Sequence, residues 1–150
     1  MNAPDDPPPL DPDFAARIRA SFGRQKAMTL IGASLTTVAR GAMEIALPFR
    51  DDLTQQKGFV HGGIIGMIAD TACGYAAYSL MPADCSLVTV EYKINILAPA
   101  TTSLVARGAV VKTGRTLTVT RGEVYARDGT QIALMQQTLM MLAGRPDHPE

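Results

Sequence analysis

The sequence predicts an α+β fold in which a curved antiparallel sheet wraps one long apolar helix, with a further helix ahead of them. Three features carry this expectation. The stretch 60–80 is apolar or small almost all round and leaves no charged stripe, so a helix there must be enclosed by other structure. Val88, Val90, Tyr92, Ile94 and Ile96 alternate with Thr89, Glu91, Lys93 and Asn95, the period of a half-buried antiparallel strand. Beyond Pro99 the chain falls into three strand-length runs separated by turn residues. A sheet curled around one helix accommodates all three.

In chain order, residues 1–10 are rich in Pro and Asp and are expected to form a flexible N-terminus. Asp11 is placed to cap the first helix and Pro12 to open it, with Phe14, Ile18 and Phe22 recurring every four residues and Gly23 ending it. Leu30 to Ala39 and Ala42 to Phe49 are expected to form a hairpin about Arg40-Gly41, since Met43, Ile45, Leu47 and Phe49 alternate. A polar stretch, Asp51 to Lys57, leads into Gly58-Phe59-Val60-His61-Gly62-Gly63 and the long helix, which should run to about Leu80. The alternating strand follows Met81-Pro82 and stops at Pro99. Thr102 to Val111, Thr116 to Ala126 and Gln131 to Leu142 should then form a meander, turning at Lys112-Thr113-Gly114-Arg115 and at Asp128-Gly129. Residues 11–143 are read as one domain and 144–150 as a flexible tail in which His148 is solvated.

Composition narrows the partners. A chain of 150 residues suits one domain with a sizeable core. The 14 basic side chains balance the 14 acidic ones, so no nucleic-acid partner is expected. Cys73 and Cys85 form no C-x-x-C and lie beside no His-rich tract, which predicts free thiols in a reducing compartment, no metal site and no disulfide framework. The first residues offer neither a basic n-region nor an apolar core, and a cytoplasmic location is expected. Val60 to Met81 approaches membrane-spanning length, but Asp70 at its centre costs roughly 3 kcal/mol on insertion scales. Gly62, Gly63, Gly66 and Gly74 dilute it further, so a helix buried in protein is expected and no membrane partner.

Asp70 is the only carboxylate in that apolar stretch. A buried carboxylate either becomes protonated or finds donors, and both a structural and a reactive aspartate fit this description. His61-Gly62-Gly63 opens the same helix, where the first N–H groups lack intrahelical partners and suit an oxygen that gains negative charge. The alternative is a tight turn with His61 as an ordinary cap. Nine residues separate His61 from Asp70, two and a half turns, or about 13 Å along the axis and on opposite faces. If both act on one substrate, a second copy of the helix must lie alongside, and a twofold dimer supplies that arrangement twice.

These residues resemble the hotdog-fold thioesterases, in particular the phenylacetate-pathway (PaaI-like) branch and the human thioesterase-superfamily acyl-CoA hydrolases. The resemblance spans roughly residues 30–142. It rests on G-x-x-H-G-G at Gly58 to Gly63, on Asp70 nine residues after the histidine, and on Val90-Glu91-Tyr92-Lys93-Ile94-Asn95 followed by Pro99-Ala100. It implies a hotdog fold, an obligatory homodimer often paired into a homotetramer, and hydrolysis of acyl-CoA or aryl-CoA thioesters to free acid and CoA. CoA would enter as part of the substrate, with no separate cofactor.

In the roles that follow from the resemblance, Asp70 acts as general base on water or as nucleophile on the thioester carbon. Gly62 donates its N–H to the thioester oxygen, Gly63 adds to substrate binding, and His61 helps orient the group or bonds the sulfur side. Gln55 stands where several relatives carry asparagine, keeping the carboxamide on a longer arm. Thr89 matches a Ser or Thr that places the water, although a β-branched residue is also at home in a strand. Lys112, Gly114 and Arg115 match the turn near the CoA phosphates, although hairpin turns are often basic for solubility alone. Tyr75, Tyr78 and Met67 are candidates for the acyl pocket or plain core. A hydratase or dehydratase on the same fold and a non-catalytic acyl-CoA-binding module are the competing readings.

Overall fold

The computed structural model describes residues 10–147. Most of the expected flexible N-terminus and the end of the tail, His148 included, lie outside the described residues. Helix α1 (Phe14–Arg24) is followed directly by a short α2 (Lys26–Ile31), then β1 (Ser34–Ala39), β2 (Ala42–Leu47), α3 (Gly62–Tyr78), β3 (Ser86–Ile96), β4 (Leu104–Thr113), β5 (Leu117–Ala126) and β6 (Gln131–Leu142). The six strands form one antiparallel sheet in the order β1-β2-β4-β5-β6-β3, curved around α3: a hotdog fold. Among the described residues no helix is long and apolar enough to cross a membrane.

Helix α1 packs through Ile18, which is fully buried, with Phe14 and Phe22 flanking it at the expected spacing. Asp11 does not cap it directly. Its Oδ1 instead accepts from the Asp13 N–H at 2.9 Å, making an Asx turn that leads into the helix from Asp13. Gly23 lies inside the last turn rather than after it.

The strand expected over Leu30 to Ala39 is corrected, because its first residues are helical. Met28 and Ile31 turn inward as part of α2, which Gly32 ends in the left-handed region at φ 75°, so that the N–H groups of Gly32 and Ala33 return to the last carbonyls. Only from Ser34 does the chain extend. Likewise β2 stops at Leu47, ahead of Pro48 and Phe49.

Two glycines let α3 sit down on the sheet. Gly108 of β4 and Gly122 of β5 are register partners beneath it. A Cβ on Gly108 would lie 2.4 Å from the backbone of Ala72, and one on Gly122 would lie 2.9 Å from Cys73 Sγ. Any side chain at Gly108 must lift the helix, since the obstacle is backbone. At its far end α3 is tied to α1 by Arg17, whose guanidinium donates to the carbonyls of Tyr78 (3.1 Å), the last residue of the helix, and of Met81 (2.9 Å) and Pro82 just beyond it. The orientation of α3, and hence of every side chain on it, is set at both places.

Strand β3 departs from its strict alternation. Its register against β6 shifts between Thr89 and Glu91, a β-bulge that switches which side chains face the helix. Before the bulge Leu87 and Thr89 face α3; after it Tyr92 and Ile94 do. Val88 and Val90, expected on the inner face, are 43% and 53% exposed.

Candidate active site

Asp70 lies midway along α3 and is half-buried, because its side chain opens on a pocket rather than into closed core. Thr89 Oγ1, re-aimed by the bulge, donates to Asp70 Oδ1 at 2.8 Å. Gln137 of β6, fully buried, donates through Nε2 to the same Oδ1 and to Thr89 Oγ1 at 2.9 Å. One carboxylate oxygen therefore takes two donors, while Oδ2 has no partner among the described residues. A carboxylate is acceptor-only when ionised, so this arrangement suits the anion. It also fixes the amide of Gln137: with Nε2 turned to Asp70, its Oε1 is buried without a partner among the described residues.

Sequence reasoning missed Gln137. The signal was available, since Ala133, Met135, Gln137 and Leu139 form one inward row of β6 and Gln137 is its polar member. A polar residue in an apolar row asks for a partner. Finding that partner required knowing that β6 lies beside β3.

The pocket, of about 350 Å³, runs from Asp70 and Thr89 past Gly74 and Leu87 to Tyr75 and Tyr78. Tyr75 Oη is bonded to Ser21 Oγ and Gln25 Nε2, both at 3.0 Å, and burial pushes its hydroxyl above the usual tyrosine range, so it stays a protonated donor. Met67, by contrast, packs against the core. Cys73, three residues after Asp70, is no candidate nucleophile: burial pushes its thiol up to about 12, and a thiol so placed holds its proton.

The start of α3 is built from backbone. His61 is exposed and caps the helix, its Nδ1 accepting from the Gly63 N–H at 2.8 Å, which places the proton of a neutral ring on Nε2. Gly63 leaves room for this cap, because a Cβ there would lie 3.0 Å from His61 Nδ1 and crowd the ring. The Ile64 and Ile65 N–H groups bond the His61 carbonyl, which leaves the Gly62 N–H without a partner among the described residues. Gly62 borders a second pocket with Gln55, Phe59, Val60, Ile96 and Pro99. Gln55 Oε1 accepts from the Lys57 N–H, closing a local turn.

The structure thus joins Asp70 with Thr89, and Gly62 with Gln55, but the two groups line different pockets. Lys112, Gly114 and Arg115 are exposed on the β4–β5 hairpin and line neither pocket. Across the sheet Thr113 pairs with Thr118, Thr118 with Leu139 and Leu139 with Thr89, so this hairpin is three strands from Thr89, about 14 Å at ordinary strand spacing.

Residues 57–133 match the family model of the thioesterase superfamily. Over 112 residues the chain is 31% identical to a Halobacterium salinarum protein that bears an unverified esterase name, covering 71% of this chain and 74% of that one. Among solved structures, a thioesterase family protein from Silicibacter pomeroyi superposes with a TM-score of 0.84 at 47% identity, covering 87% of this chain and 99% of that one. The PaaI protein of E. coli, from the phenylacetic acid degradation operon, superposes at 0.83 with 18% identity, covering 92% and 99%, a likeness of fold. The chain belongs to the thioesterase superfamily.

Proposed function

We propose that the protein hydrolyses acyl-CoA thioesters, aryl-CoA included, at a site shared between two copies of the chain. The observation that carries this reading is the Asp70 carboxylate, with one oxygen held by Thr89 and Gln137 and the other open to an elongated pocket. In the general-base route, Oδ2 takes a proton from water as the water oxygen attacks the thioester carbon; the C–S bond then breaks and the proton passes to the CoA thiolate. In the nucleophilic route, Oδ2 itself attacks, CoA thiolate leaves, and water cleaves the resulting anhydride. Both routes consume one thioester and one water and yield one acid and one CoA thiol. Gly62 N–H at the helix start donates to the carbonyl oxygen as it becomes an oxyanion.

The dimer is part of the proposal. Strand β3 is the edge of the sheet, and Val88, Val90, Tyr92, Ile96 and Leu97 are exposed along it. A long apolar edge invites pairing. Two β3 strands paired antiparallel about a twofold axis set the Leu87–Thr89 end of one protomer against the Ile96–Leu97 end of its partner. These are the ends that border the Asp70 pocket and the Gly62 pocket. The Lys112–Arg115 hairpin, on the Asp70 side of the sheet, is proposed to meet the CoA phosphates.

The test is release of free CoA from a panel of acyl-CoAs by wild type and by Asp70→Asn and Asp70→Ala. Both variants should lose at least ~10²-fold in kcat, the scale of general acid–base catalysis. Full activity in Asp70→Asn would overturn the mechanism.

A further inference from the structure

We infer that the far end of the Asp70 pocket is a carboxylate-binding subsite, occupied in this structure by the chain's own Asp147, whose substrate counterpart is the distal carboxylate of a medium-length dicarboxylic acyl thioester. This rests on the thioesterase reading above and names its substrate class.

The pocket follows one stripe of α3. Asp70, Gly74 and Tyr78 recur every four residues along it, and Gly74 leaves the middle of the floor without a side chain. From Asp70 to the Tyr75–Tyr78 end is five to eight residues of helix, about 7.5 to 12 Å. An extended acyl chain lying there with its thioester at Asp70 brings its tip to Ser21, Arg24 and Gln25 of the N-terminal helical segment.

That end is wired in one direction. Ser21 Oγ donates to Asp147 Oδ2, so it must accept from Tyr75 Oη, which in turn accepts from Gln25 Nε2. Arg24 Nη2 adds a second donor to the same Asp147 oxygen at 3.0 Å. Four side chains therefore point their hydrogens, in relay, at one carboxylate.

Donors and acceptor differ in how firmly they are held. Ser21 and Tyr75 are 6% and 5% exposed, on helices fixed by packing. Asp147 sits on the exposed stretch 143–147, and its ion pair with Arg24 is open to solvent on both sides, the kind of pair that contributes little. A carboxylate arriving through the pocket can replace Asp147 and leave every donor satisfied. A methyl end cannot, because displacing Asp147 would strand the buried Ser21 hydroxyl.

The experiment compares adipyl-CoA and suberyl-CoA with hexanoyl-CoA and octanoyl-CoA on wild type, Asp147→Ala and Arg24→Met. Removing Asp147 should raise kcat/KM for the diacid thioesters about tenfold relative to the matched monoacids, and removing Arg24 should lower the same ratio about tenfold, as expected for a charge-assisted contact. Equal ratios in all three proteins would overturn the subsite. Calorimetric binding of adipyl-CoA and hexanoyl-CoA in the Asp70→Asn background separates the two readings. Preference for adipyl-CoA that Arg24→Met abolishes supports the subsite even where no thioester turns over, which would overturn hydrolysis alone. Indifference to the distal carboxylate in both assays overturns the subsite while hydrolysis stands.

Discussion

The middle and the start of α3 present chemistry in different currencies. At Asp70 the proposed reactive group is a side chain, and its geometry is held by other side chains from two strands, one of them fully buried. At Gly62 the proposed reactive group is a backbone N–H, the one left over when His61 caps Gly63 and accepts from Ile64 and Ile65. The first half-site is built by packing and fails when a side chain is changed. The second is built by helix geometry and fails only when the backbone donor is removed or misplaced. In the proposed mechanism neither half holds both a base and an oxyanion donor, so each needs what the other has.

The sharpest way to break this contrast is to remove one reactive atom from each half. Asp70→Asn keeps shape and removes the charge, with the loss of at least ~10²-fold given above. Gly62→Pro removes only the N–H: proline is favoured at a first helical position, and no atom lies within 4 Å of a Cβ there. Its melting temperature should stay near wild type while kcat falls about 10²-fold, the scale of one lost oxyanion donor. Unchanged kcat in Gly62→Pro would remove the N–H from the mechanism. Mixed and allowed to exchange subunits, Asp70→Ala and Gly62→Pro should recover about a quarter of wild-type activity, since half the dimers are hybrids with one intact site. No recovery after demonstrated exchange would place the whole site within one chain.

A subtler change probes the wiring of the first half alone. Gln137→Met fills the same space with no donor, leaving Asp70 to Thr89. With a bond to a charged group worth about 1.5–3 kcal/mol, kcat should fall about tenfold or somewhat more while KM holds. A rise in KM at constant kcat would instead mean that Gln137 shapes the pocket and does not position Asp70. The second half should be indifferent, so Gln137→Met and Gly62→Pro should also complement on mixing.

The contrast explains what the sequence revealed. Elements from Ala42 onward were legible because their period is local: β6 spans Gln131–Leu142 as expected, and the run from Gly62 is helical to Tyr78. Asp70 and Gly62 stood out for the same reason, a charge in an apolar run and a glycine pair at a helix start. Helix α2 was not legible, since Lys26–Ile31 is a single short stretch whose inward residues, Met28 and Ile31, serve a strand or a helix equally. Nor was the partner shell of Asp70. Alternation set Thr89 on the wrong face because a bulge is a two-strand property, and Gln137 is 67 residues from the carboxylate it holds.

Smaller effects test the periphery of each half. Lys112→Gln with Arg115→Gln should raise KM for acyl-CoA about fivefold at low ionic strength, the size of two exposed charge contacts. Because such contacts are screened, the gap from wild type should close as salt approaches 1 M. A KM that ignores both substitutions would leave the hairpin as a soluble turn, three strands from Thr89 and without a part in binding.

The last difference between the halves is burial itself, and Cys73 reports it. This thiol sits under Asp70 against Gly122, and burial, with a smaller push from the Asp70 charge, raises it to about 12 despite an opposing effect of the Thr120 side chain. In the unfolded chain it titrates near 9. A group whose pKa is raised by folding binds its proton more tightly in the native state. Its contribution is complete below about pH 9 and is lost as pH climbs through the window to about 12, on the order of 4 kcal/mol over the full span. Tyr75, Tyr78, Cys85 and Tyr125 are shifted in the same direction, so wild-type stability alone mixes five groups. The comparison with Cys73→Ala isolates one. At pH 8 the alanine variant should be the less stable, having lost a buried sulfur, and by pH 11 denaturant melts should bring the two proteins together. Parallel curves across that range would mean the thiol already meets water, and that the Asp70 half is less enclosed than its hydrogen bonds require.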